Sequence, residues 1–183
     1  WAADRERTFT WGTVYQNTWH KGNQDRNLFV STADWIASRI FSLHAIAWID
    51  YYGPGDTVKP DGFELTEFTT SASWRTSERS SLNVNASSRR YPEMLRTEFV
   101  TPDPNQLLHN HIERIGTSWS GMIGTNMRAG VRADFWQDQD DSGKNYDASA
   151  GWKDLLWERG ELTLTGYFTD GTYSSGPGGR ISA

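Results

Sequence analysis

The sequence predicts an all-β protein, an antiparallel up-and-down meander of about nine strands in which residues 1–183 form a single domain. Three observations predict it. Apolar and polar residues alternate along most of the chain, a Trp-containing hairpin motif recurs, and the 3.6-residue periodicity of helices is nearly absent. Only the stretch from Pro104 to His111 has a helical pattern, and it is one turn long.

Alternation is clearest in the second half of the chain. There Met127, Ala129 and Val131 face away from Arg128 and Arg132, so one side of the strand is apolar and the other carries charge. The same period over the whole sequence predicts strands near 7–19, 27–35, 40–52, 62–74, 80–90, 112–121, 125–137, 145–153 and 160–169.

The repeated motif predicts how these strands are joined. The segment from Ser71 to Leu82 echoes the segment from Thr32 to Leu43: a run ends at a Trp, a few polar residues turn the chain, and a new alternating run begins. Short polar turns are predicted at 36–39, 75–79, 122–124 and 154–159. They are interleaved with longer loops at 20–26, 53–61, 91–111 and 138–144, which are rich in turn-forming residues.

Composition narrows the class of protein. Hydrophobic residues are 36% of the chain, yet 14% of residues are aromatic and 10 are Trp, which disfavours a disordered chain and suits a sheet with one ring-rich face. A net charge of −5 offers no basic surface for nucleic acid. With no cysteine, stability has to come from the sheet rather than from disulfides.

The strand pattern resembles that of bacterial outer-membrane β-barrels over residues 7 to 169. Such barrels combine alternating strands of about ten residues with short turns at one end and long loops at the other. The turns from Trp35 to Leu43 and from Trp74 to Leu82 are similar to turns of porin-like barrels. The resemblance implies a transmembrane β-barrel or barrel segment, with the short turns on the periplasmic side.

Tryptophans near the strand ends would then form the interfacial aromatic girdles. Those expected in this role are Trp19, Trp35, Trp48, Trp74, Trp119, Trp136 and Trp152. Two features depart from the family pattern. Nine is an odd number of strands, and the segment from Gly176 to Ala183 does not resemble a closing strand with a terminal aromatic. Either this chain belongs to a larger barrel with further strands or partner chains, or one strand has been missed.

The polar face predicts the chemistry of the interior. If the apolar residues contact lipid, a set of charged and amide side chains projects into an aqueous lumen: Arg128, Arg132, Asp134, Asn83, Asn85, Asp147 and Glu161. Their mixed signs disfavour strong ion selectivity. The implied function is a passive pore, or the scaffold of an export or electron-transfer conduit, in the bacterial outer membrane. No cofactor and no catalytic residue is predicted, and the lipid bilayer is the expected partner.

A soluble β-sandwich of the carbohydrate-binding, lectin-like kind is the main alternative. The polar face would then be its solvent face, and aromatic residues would serve as a sugar-stacking platform. The residues expected in that platform are Trp11, Tyr15, Trp19 and Trp48. A secreted protein would be the corresponding location.

Enzymatic and metal-binding alternatives have weaker support. A membrane-embedded lipid hydrolase would need a serine beside a histidine, for which Ser42 and His44 are the candidates. Glu64 and Glu67 are expected on opposite strand faces, where they cannot act together on a glycosidic bond. Two further patterns fall short of a metal site, and none is predicted from them: His109, His111 and Glu113, and the loop residues Asp138, Asp140, Ser142 and Gly143.

Overall fold

The computed structural model describes residues 7–20, 23–54, 61–90, 111–138, 141–154, 160–171 and 174–183, without the side chains of residues 20 and 23–25. These residues form one open antiparallel sheet of ten strands in sequence order. The strands are β1 (Thr8–His20), β2 (Asn23–Ser38), β3 (Phe41–Tyr52), β4 (Gly62–Ser77), β5 (Ser80–Arg90), β6 (His111–Ile123), β7 (Met127–Gln137), β8 (Ser142–Lys153), β9 (Glu161–Asp170) and β10 (Gly176–Ser182).

The predicted meander is confirmed, and the expected strand count of nine is wrong. The missed strand is β10, whose sequence contains Gly176, Pro177, Gly178 and Gly179. These residues carry little strand signal. An edge strand tolerates proline where the missing N–H would face away from the neighbouring strand. The ring of Tyr167 on β9 covers the space above Gly178.

The predicted two-sheet sandwich is not formed by the described residues. Of the predicted helical turn, His111 begins β6 and residues 104–110 lie outside the described ranges.

The repeated motif gives the same local structure twice. Register shifts occur between Ile36 and Ser38 on β2 and between Arg75 and Ser77 on β4. In each turn the serine hydroxyl accepts a hydrogen bond from the amide two residues later, at 3.2 Å in both cases. A β-bulge followed by a serine-stabilised turn is therefore what the recurring sequence encodes.

Neighbouring short turns are hydrogen-bonded to one another, and they are aligned in a row at one end of the strands. The amide of Arg75 donates to the carbonyl of Ile40, that of Met122 to Arg79, and that of Lys153 to Asn126, at 2.8 to 2.9 Å. The turns after β2, β4, β6 and β8 all lie at this end of the strands. We call it the turn end of the sheet. The connections after β1, β3, β5, β7 and β9 lie at the opposite end of the strands, which we call the loop end. The loop predicted at 20–26 is wrong in its bounds, because β1 extends to His20 and β2 begins at Asn23.

Glycine is required where β5, β6 and β7 pack side by side. A Cβ atom on Gly121 would lie 2.8 Å from Cβ of Ser80 and 2.9 Å from the ring of Trp119. Atoms this close cannot coexist, and the Cβ of Ser80 cannot move without its backbone. Gly166 on β9 differs, since a Cβ there would meet no atom within 4 Å.

These two glycines provide a matched pair of substitutions. We expect Gly121→Ala to lower the free energy of unfolding by about 1–3 kcal/mol through overpacking. Gly166→Ala should leave stability unchanged or raise it by about 0.5 kcal/mol, because alanine restricts the unfolded chain. Denaturant titration of the folded protein measures both values. Equal losses in the two variants would contradict the packing described for Gly121.

Candidate functional site

The apolar face of the sheet is the first feature that bears on function. Residues directly opposite each other on paired strands share a face, so the register assigns every strand position to one side. The apolar face includes Trp11, Phe29, Ala33, Trp35, Ala45, Ala47, Phe63, Ala72, Trp74, Val84, Ile115, Thr117, Trp119, Val131, Ala133, Ala148, Leu164 and Ile181. It runs without interruption across all ten strands.

Nothing among the described residues covers this face. Trp11 is 66% exposed and Phe63 is 71% exposed. Leu28 and Tyr52 are the only described apolar side chains that are buried, and both lie on the polar side of the sheet. A soluble domain would hold most of these large side chains in a core. The apolar face therefore requires an apolar environment supplied from outside the sheet.

Aromatic rings are concentrated in two bands on the apolar face. The band at the turn end consists of Phe9, Trp35, Phe41, Trp74, Trp119 and Trp152, and the band at the loop end of Tyr15, Trp19, Phe29, Tyr51, Phe63, Phe135, Tyr146 and Phe168. Rings touch within each band: Tyr15 and Phe29 lie 4.9 Å apart, and Trp35 and Phe41 5.8 Å apart. The zone between the bands contains small residues such as Ala45, Ala72 and Ala133, together with two further rings, Trp11 and Phe68.

The distance between the bands can be measured along single strands. Phe41 and Tyr51 lie at opposite ends of β3. They are separated by ten residues, which at a rise of about 3.3 Å per residue gives about 33 Å along the strand. On β2 the band members Trp35 and Phe29 are six residues apart, which gives about 20 Å. The zone between the bands is therefore about 20 to 33 Å long, measured along the strands.

Charges on the apolar face occur only at the loop end. They belong to Arg90, Glu113, Lys144 and Asp170. Lys144 and Asp170 are paired at 3.2 Å. The zone between the aromatic bands is therefore free of charge across the described strands.

The opposite, polar face carries the residues that the sequence proposed for the lumen. Register places Asn83, Ser118, Arg132 and Asp147 in one row, and Asn85, Gly116, Asp134 and Asn145 in the next. Arg128 and Glu161 lie on the same face nearer the turn end. Arg132 forms an ion pair with Asp134. The structure thus gathers all of these predicted residues on one side, and part of their charge is neutralised locally.

Two of the predicted girdle tryptophans lie on the polar face, which corrects their expected grouping with the others. Trp48 is two residues from Asp50, and its ring lies 5.5 Å from the guanidinium carbon of Arg26. Trp136 lies two residues from Asp134 and covers Gly143 on β8. The alternation of β3 already carried this signal, because Trp48 falls out of phase with Phe41 and Tyr51. Trp19, Trp35, Trp74, Trp119 and Trp152 share the apolar face.

The sequence did not predict the buried cluster at the loop end of β2, β3 and β4. Asp50 is 1% exposed and Thr66 is 2% exposed. Arg26 forms a bidentate ion pair with Asp50 through Nε and Nη2, and Nη2 lies 2.7 Å from Oδ2. The hydroxyl of Thr66 donates to Asp50 and lies 3.3 Å from the carbonyl of Trp48. This cluster joins three strands on the polar face and depends on a β-bulge at Thr66 that no local pattern reveals.

The bulge also overturns the expectation for Glu64 and Glu67. Because Thr66 is an extra residue in β4, Glu64 lies opposite Asp50 and Glu67 opposite Trp48, so both glutamates share the polar face. Each is paired with an arginine of β5, Glu64 with Arg90 at 2.9 Å and Glu67 with Arg89 at 3.5 Å. These ion pairs connect the two strands at the loop end.

For the hydrolase alternative, the structure gives His44 a carboxylate partner, Asp34, but no serine placed as a nucleophile. Nδ1 of His44 lies 2.6 Å from Oδ1 of Asp34, the arrangement that orients a catalytic imidazole. Ser42 shares the face of His44, and Ser71 lies directly opposite it on β4. Within the described ranges, neither serine hydroxyl is hydrogen-bonded to the imidazole.

The aromatic residues of the lectin alternative do not form one sugar-stacking platform. Trp48 lies on the opposite face of the sheet from Trp11 and Tyr15.

The weak metal patterns do not converge in the part of the chain that the structure describes. There, no group of three or more metal-binding side chains meets. His111 lies 2.8 Å from the hydroxyl of Ser88 and 3.5 Å from Glu113. Asp138 accepts a hydrogen bond from the amide of Asp141, as a loop-closing residue does. His109 and Asp140 lie outside the described residues.

Comparison with protein-family models, curated proteins and solved structures finds no match to this chain. The described residues contain no helix long and apolar enough to cross a membrane. Function is therefore inferred from the two faces of the sheet.

The buried cluster yields a direct test. We expect Asp50→Ala to lower the free energy of unfolding by about 3–5 kcal/mol, because it removes the buried carboxylate that pairs with the largely buried Arg26. Asp34→Ala removes a carboxylate of an exposed pair and should cost less than about 1 kcal/mol. Urea titration in detergent compares the variants. A loss for Asp50→Ala no larger than that for Asp34→Ala would refute the role given to the cluster.

Proposed function

We propose that this chain forms a wall of an outer-membrane-type β-barrel, with its apolar face against lipid and its polar face lining an aqueous pathway for small polar solutes. The observation that carries the proposal is the uncharged zone of exposed apolar side chains between two aromatic bands. With the strand tilt of about 40° found in barrels, the length of this zone corresponds to a height of about 15 to 25 Å, and the upper value equals the apolar band of outer-membrane barrels. The bacterial outer membrane is the location that this architecture favours.

A lipid environment accounts for the exposed apolar side chains better than water does. An apolar surface ten strands wide would drive aggregation of a water-soluble monomer. In a bilayer the same surface needs no second layer, because lipid tails replace the missing core. The two rings of aromatic side chains then lie where the hydrocarbon meets the headgroups, the position that Trp and Tyr prefer.

The polar face supports a water-filled pathway. Its charges include Asp34, Arg128 and Arg132, which would be costly against hydrocarbon but are well solvated in a lumen. Partial pairing of acidic and basic groups leaves a surface that hydrates small solutes of either sign. A passive pore fits this surface, and a scaffold around an export or electron-transfer chain is the second form of the same architecture.

The two outer strands of the sheet, β1 and β10, determine whether a barrel can close. No pairing joins β1 to β10 among the described residues. From Thr8 to Trp19, β1 contains no charged residue and no proline, the usual devices that protect a free edge. Unpaired backbone groups in lipid cost several kcal/mol each. We propose that the β1 edge is paired in the membrane, by β10 on closure or by further strands.

Two adjacent positions on β8 test which face meets lipid. Ala148 lies on the apolar face between Val131 and Gly166, whereas Ser149 lies on the polar face between Gly130 and Thr165. Arginine at position 148 should destabilise the bilayer-inserted state by about 2–4 kcal/mol, the cost of a cation near the midplane. Arginine at position 149 should change it by about 0.5 kcal/mol, as at an ordinary solvated surface.

The measurement is folding into lipid vesicles, followed for the wild type by conductance across a planar bilayer. Insertion should fail or weaken only for Ala148→Arg, and the inserted wild type should conduct small ions. Equal insertion of both variants would contradict the lipid-facing assignment. Normal insertion without conductance would reject the passive pore and leave the scaffold.

A further inference from the structure

A cavity of about 570 Å³ lies on the polar side of the sheet at the turn end, between the β4–β5 turn and the start of β7. The residues that line it include Arg75, Arg79, Arg128, Ser81 and Ser120. Glu78 is the one acidic residue in the lining. The cavity therefore has a positive formal charge, although the whole chain carries −5.

These arginines differ from the paired arginines of the polar face. Arg26, Arg89 and Arg132 each have a carboxylate partner. In the part of the chain that the structure describes, no ion pair joins Arg75, Arg79 or Arg128 to an acidic side chain, including the nearby Glu78. Three guanidinium groups in one cavity repel each other, and a bound anion would relieve that repulsion.

The cavity is held by contacts between neighbouring turns. Nη1 of Arg79 donates to the carbonyl of Gly124 at 3.1 Å, and the amide of Met122 donates to the carbonyl of Arg79 at 2.9 Å. Register places Arg75, Ser81 and Ser120 side by side on β4, β5 and β6. The backbone thus brings the arginines and hydroxyls together, and Arg79 keeps further N–H groups for a ligand.

We propose that this cavity binds an oxyanion, namely phosphate or the phosphate group of a small solute or lipid. Guanidinium groups match phosphate through paired, charge-assisted hydrogen bonds. Ser81 and Ser120, whose hydroxyl oxygens lie 3.5 Å apart, are lining residues that can supply further donors. Binding needs only the folded sheet, so it goes beyond the proposed pore and is tested independently of conductance.

The test is calorimetric titration of the detergent-folded protein with inorganic phosphate in low-chloride buffer. The wild type should bind with a stoichiometry near one. Arg75→Gln and Arg128→Gln should each weaken binding about tenfold, the loss of one charge-assisted contact. Arg114→Gln is the matched control, because Arg114 also lies on the polar face but at the loop end, outside the cavity.

A second arm separates the two sources of the phosphate group. Titration of the same detergent-folded protein with short-chain phosphatidylglycerol and with a water-soluble sugar phosphate should show tighter, Arg75- and Arg128-dependent binding of the lipid if a headgroup is the ligand, and of the sugar phosphate if a free solute is. Arg128→Lys keeps the charge and should retain part of the affinity, which supports the site even if a glutamine variant fails to fold. Absence of phosphate binding by the wild type in both arms, or an equal loss in Arg114→Gln, would overturn the proposal.

Discussion

The sheet depends on one constraint: none of the residues that the structure describes buries its apolar face in a protein core. Folding of a soluble sheet is driven by removing such a face from water. Here the described strands leave Trp11, Phe63 and Val131 at the surface. Strand length, the position of the aromatic bands and the absence of charge between them are all explained if lipid covers this face. The polar face can then carry charge at little cost.

Stability within the sheet comes from polar contacts and close backbone packing instead of a core. The cluster of Arg26, Asp50 and Thr66 joins three strands at the loop end, while hydrogen bonds between successive turns connect the strands at the turn end. Gly121 allows β5 and β6 to pack without overlap. These features hold the register, and the register keeps charge out of the zone between the two aromatic bands on the apolar face. A slip of one residue would exchange the two faces.

The sequence predicts most of this fold because alternation and hairpin signals are local. The motif at Trp35 and Trp74 gives the same bulge and serine turn twice, as its repetition indicates. Features that depend on several strands were missed. The bulge at Thr66 changes the face of Glu64 relative to Glu67, and β10 becomes visible only through its pairing with β9. The cavity with Arg75 and Arg128 likewise arises from residues far apart in sequence.

The measurement that tests the central claim most directly is the water accessibility of alternate residues along β7. The chain has no cysteine, so single cysteines introduced from position 129 to 134 would be the only thiols. After reconstitution into vesicles, a hydrophilic maleimide should label positions 130, 132 and 134 rapidly. Positions 129, 131 and 133 should be protected by lipid. Equal labelling at all positions, or protection of the even ones, would contradict a sheet with one face in lipid and the other in water.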